Sequence, residues 1–366
     1  MNNSLDSIRT RLDRGETLER EQALWLLNDC ELLALGKLAH AQRVKRHPEG
    51  RVTYVIDRNV NYTNVCTSKC RFCAFYREAE DAEAYLLDYE TIFAKVAELV
   101  EHGGTQLLMQ GGLHPDLDIG WYEELFRELK QRFPQVQVHS LSPAEVTHIA
   151  GVSGLTMHAC LARLQAAGLD SVPGGGAEVL VDEVRSEISP NKIGWRQWAE
   201  VMEAAHELGM RTTATMMFGS RERAEDIVEH LFRVREIQQR TGGFTAFIPW
   251  TFQPDNTELG GETASGVEYL RVLALSRLVL DNVDNIQASW VTQGAHMAQV
   301  ALFFGANDLG GTMLEENVVA AAGCSFRLSQ KEIRDIVRGA GFVPAKRDTL
   351  YRILESLPEC EVAQDE

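Results

Sequence analysis

The chain has 366 residues, of which 45% are hydrophobic and 24% charged, and its formal net charge is −17. This is the composition of a globular protein that can bury a large core, and the length suits an α/β barrel with additions. No basic stripe offsets the negative charge, which excludes the usual kind of nucleic-acid-binding surface.

Cysteine usage and the N-terminal residues predict the cellular compartment. The seven cysteines are an odd number, which favours a reducing compartment over a framework of disulfides. The first residues lack the basic and apolar regions of a signal peptide. No apolar run approaches the roughly 18 residues that a membrane span requires. We therefore expect a cytoplasmic protein without a membrane partner.

The first 50 residues predict a helical extension. Leucines recur near helical spacing between Leu24 and Leu38, with polar residues in the gaps. Residues 17–28 predict a helix with Thr17 as its N-cap. The sequence His-Pro-Glu-Gly at residues 47–50 is typical of a turn and ends the extension.

From residue 51, short β-branched or apolar runs alternate with longer amphipathic segments, which is typical of parallel β/α units. The predicted strands cover residues 52–56 with 60–63, then 105–109, 136–139, 169–172, 211–217, 244–250, 286–290 and 307–309. The predicted helices cover residues 89–102, 117–133, 144–149, 157–167, 182–187, 195–208, 223–240, 267–280, 296–304 and 330–339. This pattern predicts an α/β fold, a (β/α)8 TIM-type barrel over residues 51–345, followed by a C-terminal tail at 346–366. The active site of such a barrel lies at the C-terminal ends of its strands.

Three cysteines follow the first predicted strand. Cys66, Cys70 and Cys73 have C-x3-C-x2-C spacing. Three thiolates on one short loop can bind a [4Fe–4S] cluster, which takes four ligands, so one iron stays open to a small molecule. Structural zinc is the first alternative, but zinc sites usually hold four ligands in C-x2-C pairs, and no second pair exists. Three buried thiols are the second alternative, and they would not need this spacing.

With Phe72 in the aromatic position, the C-x3-C-x-aromatic-C run resembles the signature of the radical S-adenosylmethionine (SAM) superfamily. The resemblance implies that the open iron chelates SAM. It also implies that an electron, from a donor such as a flavodoxin or ferredoxin, cleaves SAM to methionine and a 5′-deoxyadenosyl radical. An alternative from another class is a non-catalytic iron–sulfur or zinc protein.

The resemblance also implies residues that hold SAM. Gln110, Gly111 and Gly112 follow the second predicted strand, where family members hold the amino group of SAM with backbone atoms. Glycine permits a close backbone approach there. Phe72 is expected to shield the cluster or the adenine.

A second group of expected SAM contacts follows the later strands. The run Pro-Gly-Gly-Gly-Ala-Glu at residues 173–178 ends in Glu178, whose carboxylate can accept hydrogen bonds from a ribose. By analogy with the family, Arg185 is expected to contact the SAM carboxylate, and Ile248 is a candidate for adenine contact.

From about residue 50 to 345, the sequence resembles one subgroup of this superfamily. The subgroup contains the futalosine-pathway enzymes of menaquinone biosynthesis and the deazaflavin (FO) synthase subunits. Within it, Pro-Trp-Thr-Phe-Gln-Pro at residues 249–254 most resembles the cyclases that act on dehypoxanthine futalosine, which implies that small-molecule substrate. Sister enzymes instead add the adenosyl radical to an enolpyruvyl benzoate and make aminofutalosine; another radical SAM reaction is a further alternative.

The implied cyclisation requires a proton acceptor. The adenosyl radical would take the C4′ hydrogen of the substrate ribose, and the carbon radical would attack the benzoate ring. A base must then remove the ring proton while an electron is lost, which the cluster could take back. The sequence offers His114, His139 and Glu178 as candidates for this base, because they lie at or after the ends of predicted strands at the barrel mouth.

Overall fold

The computed structural model describes residues 4–356, in which strands and helices alternate. The strands are β1 Arg51–Val55, β2 Asp57–Val60, β3 Gln106–Met109, β4 Gln137–Ser140, β5 Ser171–Val172, β6 Arg211–Phe218, β7 Phe244–Thr251, β8 Asn285–Ile286, β9 Asp308–Gly311, β10 Val343–Arg347 and β11 Ile353–Ser356. The helices are α1 Leu5–Asp13, α2 Arg20–Asn28, α3 Leu32–Arg46, α4 Tyr89–Glu101, α5 Ile119–Arg132, α6 Pro143–Val152, α7 Met157–Ala167, α8 Asp182–Ile188, α9 Trp195–Glu207, α10 Ala224–Thr241, α11 Gly266–Val279, α12 Trp290–Ala301, α13 Val318–Ala321 and α14 Gln330–Gly339.

Parallel strands form the wall of a barrel. Strands β2 to β8 pair in sequence order in one sheet, and β9 pairs with β1 in a second sheet. The two sheets join because β1 leads directly into β2, and because Gln287 after β8 bridges to Asp308 of β9. The predicted (β/α)8 barrel is confirmed. The predicted strand at residues 286–290 is shorter than expected, because α12 already begins at Trp290.

The barrel wall shows the two-residue alternation of strands. On β6, Ala214 and Met216 are fully buried in the surrounding core, whereas the intervening Thr213 and Thr215 line the space inside the barrel. The surrounding helices cover the outer face with apolar side chains. Both faces of the strands are therefore enclosed, as is usual for parallel sheets.

The N-terminal helices pack on the outside of the barrel. Arg271 of α11 donates from Nη1 to the carbonyl oxygens of Leu26, Leu27 and Cys30 at 3.4, 3.2 and 2.7 Å. The predicted N-cap at Thr17 is wrong: α2 begins at Arg20 after Glu19, and the carbonyl of Thr17 instead accepts a hydrogen bond from Arg11 Nε at 2.7 Å. No helix within residues 4–356 is both long and apolar enough to cross a membrane.

The C-terminal segment belongs to the barrel. Strand β10 pairs in parallel with β1 and crosses the boundary that was predicted at residue 345. At its end, Arg347 is buried and forms two hydrogen bonds with Asp308, at 2.6 and 3.0 Å. Residues 357–366 of the predicted tail, including Cys360, lie outside the described residues. Up to residue 351, the chain thus supplies part of the barrel interior.

Candidate active site inside the barrel

A cavity of about 400 Å³ occupies the barrel interior. Its walls come from inward-facing strand residues, such as Asp57, Asn59 and Asn61 at every second position after β1. The loop after β2 borders the cavity with three cysteines, and residues 347–351 border it as well. The predicted site residues can therefore be tested by whether they line this cavity.

All three cysteines of the C-x3-C-x2-C run line this cavity as free thiols. Backbone hydrogen bonds shape their loop: Cys66 N–H donates to the carbonyl of Arg77 at 3.1 Å, and Cys73 N–H to that of Cys70 at 3.0 Å. Burial raises the pKa of the Cys70 thiol to about 11 and also raises that of Cys73. Bound iron would counter this, because a coordinating thiol is deprotonated by the metal charge.

These donors fit the cluster and the SAM that the motif implies. Within residues 4–356, no three His, Cys, Asp or Glu side chains are arranged around a point as ligands of a single metal ion. A four-iron cluster instead presents a separate iron to each of its ligands. Near the thiols, Glu178 Oε2 is buried and has no hydrogen-bond partner among the described residues. An unpaired buried carboxylate oxygen suits a ligand that brings hydroxyl groups.

Glu178 forms an ion pair with a residue that the sequence reasoning missed. Its Oε1 lies 2.6 Å from Lys192 Nζ, and both side chains line the cavity. Burial opposes the charge of Lys192, but Glu178 and Cys70 outweigh burial and the pKa of Lys192 is raised. The lysine amine also lies 5.4 Å from the centre of the Phe72 ring. The pair links Glu178 to the cysteine loop, and the charged Lys192 in the Ser-Pro-Asn-Lys turn was the available signal.

The structure shows why glycine occupies the turn after β3. A Cβ on Gly111 would lie 2.6 Å from the Tyr62 ring, and a Cβ on Gly112 would lie 2.1 Å from the carbonyl oxygen of Val65 and 2.8 Å from Cys66 Cβ. Gln110 lines the cavity beside them. The glycines thus let this turn pack against the cysteine loop, a reason that is independent of SAM.

Substituting alanine for Gly112 is expected to reduce iron loading. The new methyl group would meet the Val65 carbonyl at 2.1 Å and displace the loop that carries Cys66. We expect less than half of the wild-type iron per chain and a lower melting temperature. Gly151→Ala is the control, because nothing lies within 4 Å of a Cβ there, and alanine favours its helix by up to about 1 kcal/mol. Wild-type iron content in Gly112→Ala would contradict the role of this contact.

Arg185 does not line the cavity, contrary to the expected SAM contact. The guanidinium donates to the carbonyl oxygens of Gly176 at 3.1 Å, Ala177 at 2.5 Å and Ile193 at 2.5 Å. It therefore braces the glycine run that carries Glu178. Ile248, by contrast, lines the cavity from β7, and its contact with adenine stays a prediction.

The two candidate histidines differ in position. His114 lies outside the cavity lining, and its Nδ1 accepts a hydrogen bond from the Asp116 N–H at 3.2 Å. His139 is buried on β4 and lines the cavity. Burial, with a smaller contribution from the Arg347 charge, lowers the pKa of His139 to about 3. Of the three proposed bases, the cavity therefore brings together only His139 and Glu178.

Asp57 is a cavity residue that the sequence reasoning missed. It is buried, and its Oδ1 accepts a hydrogen bond from the Met313 N–H at 2.9 Å. Its Oδ2 has a long contact of 3.5 Å from Gln106 Nε2. Burial raises the pKa of Asp57 to about 6, against the opposing effects of Met313 and Arg347. A carboxylate directly after the strand-like run of residues 52–56 was the available signal, because a buried charge is costly without a function.

Two family models match the chain. Residues 60–234 match the radical SAM superfamily, and residues 241–360 match the CofH/MqnC C-terminal region. Together these segments contain the cysteine loop, Glu178 and the segment that includes Arg347.

Named relatives resemble the chain over nearly all of its length. The chain is 46% identical to the cyclic dehypoxanthine futalosine synthase of Halalkalibacterium halodurans, with 99% of this chain and 98% of that protein covered. It is 47% identical to the Streptomyces coelicolor enzyme of the same name, with 96% and 89% covered. It is also 43% identical to the 5-amino-6-(D-ribitylamino)uracil–L-tyrosine 4-hydroxyphenyl transferase of Methanothermobacter thermautotrophicus, with 93% and 96% covered.

A solved structure shares the fold at low sequence identity. The [FeFe]-hydrogenase maturase HydG from Carboxydothermus hydrogenoformans superposes with a TM-score of 0.72 at 17% identity, with 95% of this chain and 80% of that chain covered. At this identity the similarity concerns the fold alone.

Proposed function

The chain belongs to the radical SAM superfamily, and on that premise we propose that it cyclises dehypoxanthine futalosine in menaquinone biosynthesis. The observation that carries the proposal is the 46–47% identity, over 96–99% of the chain, to two bacterial enzymes named cyclic dehypoxanthine futalosine synthase. The cavity agrees with it, because three thiols and several buried polar groups border one space inside the barrel.

The residues that would hold the cofactors lie at the cysteine loop. Cys66, Cys70 and Cys73 would bind a [4Fe–4S] cluster, and Glu178 and Gln110, which line the same cavity, would contact SAM. When bound, the cluster supplies the electron that cleaves SAM to methionine and a 5′-deoxyadenosyl radical. That electron requires a donor protein such as a flavodoxin or ferredoxin.

In the proposed reaction, the substrate gives its C4′ hydrogen to the adenosyl radical, which becomes 5′-deoxyadenosine. The substrate then forms a bond from C4′ to the benzoate ring. Finally the ring loses a proton to a base and an electron to a one-electron acceptor. The product is lighter than the substrate by two hydrogen atoms. The chain must bind the substrate, exclude water and accept the proton.

The proton acceptor must line the cavity and be a base near neutral pH. His114 lies outside the cavity, Glu178 is ion-paired with Lys192, and His139 has a pKa of about 3. Asp57 lines the cavity and has a pKa of about 6, close to the value that suits a general base. We therefore assign the proton to Asp57 in this proposal.

The cavity also has the apolar wall that radical chemistry requires. Phe72, Leu113, Trp250, Val291 and Val318 all line it. Apolar side chains leave water no hydrogen-bond partners, and excluding water protects a reactive intermediate from side reactions.

A second candidate function comes from the archaeal relative at 43% identity, whose name describes transfer of a 4-hydroxyphenyl group from L-tyrosine. This reaction would use the same cofactors on different substrates. It differs from the proposed cyclisation in a way that product analysis detects, because two molecules are joined.

The test is anaerobic incubation of the reconstituted protein with SAM, a reductant and dehypoxanthine futalosine, followed by mass spectrometry. We expect 5′-deoxyadenosine and a product lighter by two hydrogen atoms. Parallel reactions contain an enolpyruvyl benzoate, or 5-amino-6-(D-ribitylamino)uracil with L-tyrosine. Turnover in either parallel reaction, with dehypoxanthine futalosine unchanged, would replace the proposed substrate.

A further inference from the structure

One region of the cavity is polar. We call it the floor and define it by Asp57, His139, Arg347, Thr349 and Tyr351, all of which line the cavity. Asp57 begins β2, three residues before the strand ends at Val60. At about 3.3 Å per residue, Asp57 lies roughly 10 Å along the strand from the end where the cysteine loop starts. Asp57 is therefore set back from the start of the cysteine loop.

Thr349 lines this space and carries a buried hydroxyl without a partner in residues 4–356. The residue is only 4% exposed, and its Oγ1 is buried without a hydrogen-bond partner among the described residues. Its backbone N–H donates to Gln137 Oε1 at 2.9 Å, which fixes the position of the residue. A buried hydroxyl without a partner is unfavourable, so a ligand hydroxyl that reaches Thr349 Oγ1 would gain a hydrogen bond there.

His139 offers an acceptor beside it. Ser171 Oγ donates its hydrogen to the carbonyl of Arg211 at 2.5 Å, so it must accept from His139 Nδ1, which lies 2.9 Å away. The neutral ring therefore carries its hydrogen on Nδ1 and keeps a lone pair on Nε2. Within residues 4–356, no hydrogen bond to Nε2 is found. This nitrogen can accept a hydrogen bond from a ligand.

The charges of the floor disfavour an anion. Arg347 is neutralised by Asp308, which accepts from Nε at 2.6 Å and from Nη2 at 3.0 Å. Asp57 adds a carboxylate that lies close enough to Arg347 to raise the pKa of its guanidinium. An incoming carboxylate would meet a region with no net positive charge. Arg347 has five N–H groups, and its three hydrogen bonds leave donors for an uncharged ligand oxygen.

We propose that the floor is a subsite for the neighbouring hydroxyl groups of the substrate's pentose ring. This inference rests on the proposed function and names the part of that substrate which enters the barrel most deeply. Each hydroxyl both donates and accepts, which matches the mixture of Thr349 Oγ1, His139 Nε2 and the Arg347 N–H groups. The benzoate carboxylate then lies elsewhere in the cavity.

The test compares Thr349→Val with Thr105→Val. Thr105 Oγ1 is also buried without a partner, but Thr105 does not line the cavity. Holoenzyme with SAM and without reductant is titrated with dehypoxanthine futalosine, its deoxy analogue lacking one ring hydroxyl, and its carboxamide analogue. Binding is followed by tryptophan fluorescence, to which Trp250 in the cavity lining contributes.

We expect Thr349→Val to weaken substrate binding roughly fivefold or more without lowering the melting temperature, because an unsatisfied hydroxyl is removed. Thr105→Val should bind as the wild type does. The deoxy analogue should lose affinity for the wild type and lose much less for Thr349→Val. Wild-type affinity in Thr349→Val, as expected if only water occupies the floor, would overturn the proposal. A second result would also overturn it. In that result, Thr349→Val binds the carboxamide analogue as tightly as the wild type does and still binds the deoxy analogue more weakly than the substrate.

A simpler probe separates this inference from the proposed function. Saturation-transfer NMR of the same holoenzyme with methyl β-D-ribofuranoside reports pentose binding without the rest of the substrate. A signal that is lost in Thr349→Val and kept in Thr105→Val supports the subsite even if dehypoxanthine futalosine is never converted. A signal that is absent, or unchanged in Thr349→Val, overturns the subsite even if the cyclisation proceeds.

Discussion

Replacing Cys66, Cys70 and Cys73 together with alanine is expected to remove the iron–sulfur cluster and all SAM cleavage. These three thiols line the cavity and are the cysteines that the loop after β2 provides. Without them the cluster loses every protein ligand that the motif supplies. Iron per chain and visible absorbance after anaerobic reconstitution should fall to background, and 5′-deoxyadenosine should be undetectable.

The control for this triple variant is Cys324→Ala. Cys324 is half-buried, lies outside the cavity lining, and donates from Sγ to the Val291 carbonyl at 3.1 Å. Its loss should leave iron content and SAM cleavage close to wild type. A triple variant that keeps a full complement of iron would contradict the cluster site, and stoichiometric zinc in the purified wild type would favour the zinc alternative.

Much of the barrel could be predicted from the sequence because its strands are apolar and β-branched runs between amphipathic helices. Strand β6, predicted at residues 211–217, runs over Arg211–Phe218, and β7 is similarly close. Hydrophobic periodicity is strong in such enclosed strands. Near β8, the run at residues 286–290 has strand-like composition, but a tertiary contact competes: the Ser289 N–H donates to Tyr269 Oη at 2.7 Å as α12 begins.

The C-terminal strands could not be predicted in the same way. Strand β10 has the sequence Val-Pro-Ala-Lys-Arg, in which proline and two cations weaken the strand signal. Its stability comes from distant partners: parallel pairing with β1 and the ion pair of Arg347 with Asp308. Local composition does not contain these contacts, so the sequence predicts a tail where the structure forms part of the floor.

The candidate site also has features that the local sequence predicts and features that depend on tertiary packing. The cysteine spacing and the Gly-Gly-Gly-Ala-Glu run lie within short stretches, and the structure brings Cys70 and Glu178 to one cavity. Side-chain direction is a tertiary property. Arg185 donates to backbone carbonyls, and His114 does not line the cavity, although both follow the expected strands. Spacing along the chain identified the loops, whereas packing decided which side chains face the ligand.

Glu178→Gln is expected to weaken SAM binding about 10- to 100-fold. The substitution keeps the shape of the side chain but removes the charge that pairs with Lys192 at 2.6 Å and the second carboxylate oxygen, Oε2, which is buried without a partner. Hydrogen bonds to charged groups contribute about 1.5–3 kcal/mol, and about 1.4 kcal/mol corresponds to tenfold in affinity. Equilibrium binding of SAM to the reconstituted protein without reductant measures the effect.

The matched control is Glu315→Gln. Glu315 is also paired with a lysine, Lys95, at 2.6 Å, and in addition with Arg58 at 3.0 Å, but it does not line the cavity. This variant loses the same kind of ion pair at a place where no ligand is expected. We expect Glu315→Gln to keep its SAM affinity within about threefold of wild type, while Glu178→Gln loses much more. This difference would show that the loss in Glu178→Gln arises from contact with SAM. Equal losses in both variants would instead indicate a general effect on stability.

Substituting Lys192 distinguishes two possible roles of Glu178 in SAM binding. If Glu178 only holds the lysine in place, then Lys192→Met should weaken SAM binding as much as Glu178→Gln does, and the double variant should lose no more. If Oε2 contacts SAM directly, each substitution removes a separate interaction, and the losses should approach additivity. The partnerless Oε2, buried in the cavity wall, favours the direct contact. We therefore expect the double variant to bind SAM more weakly than either single variant.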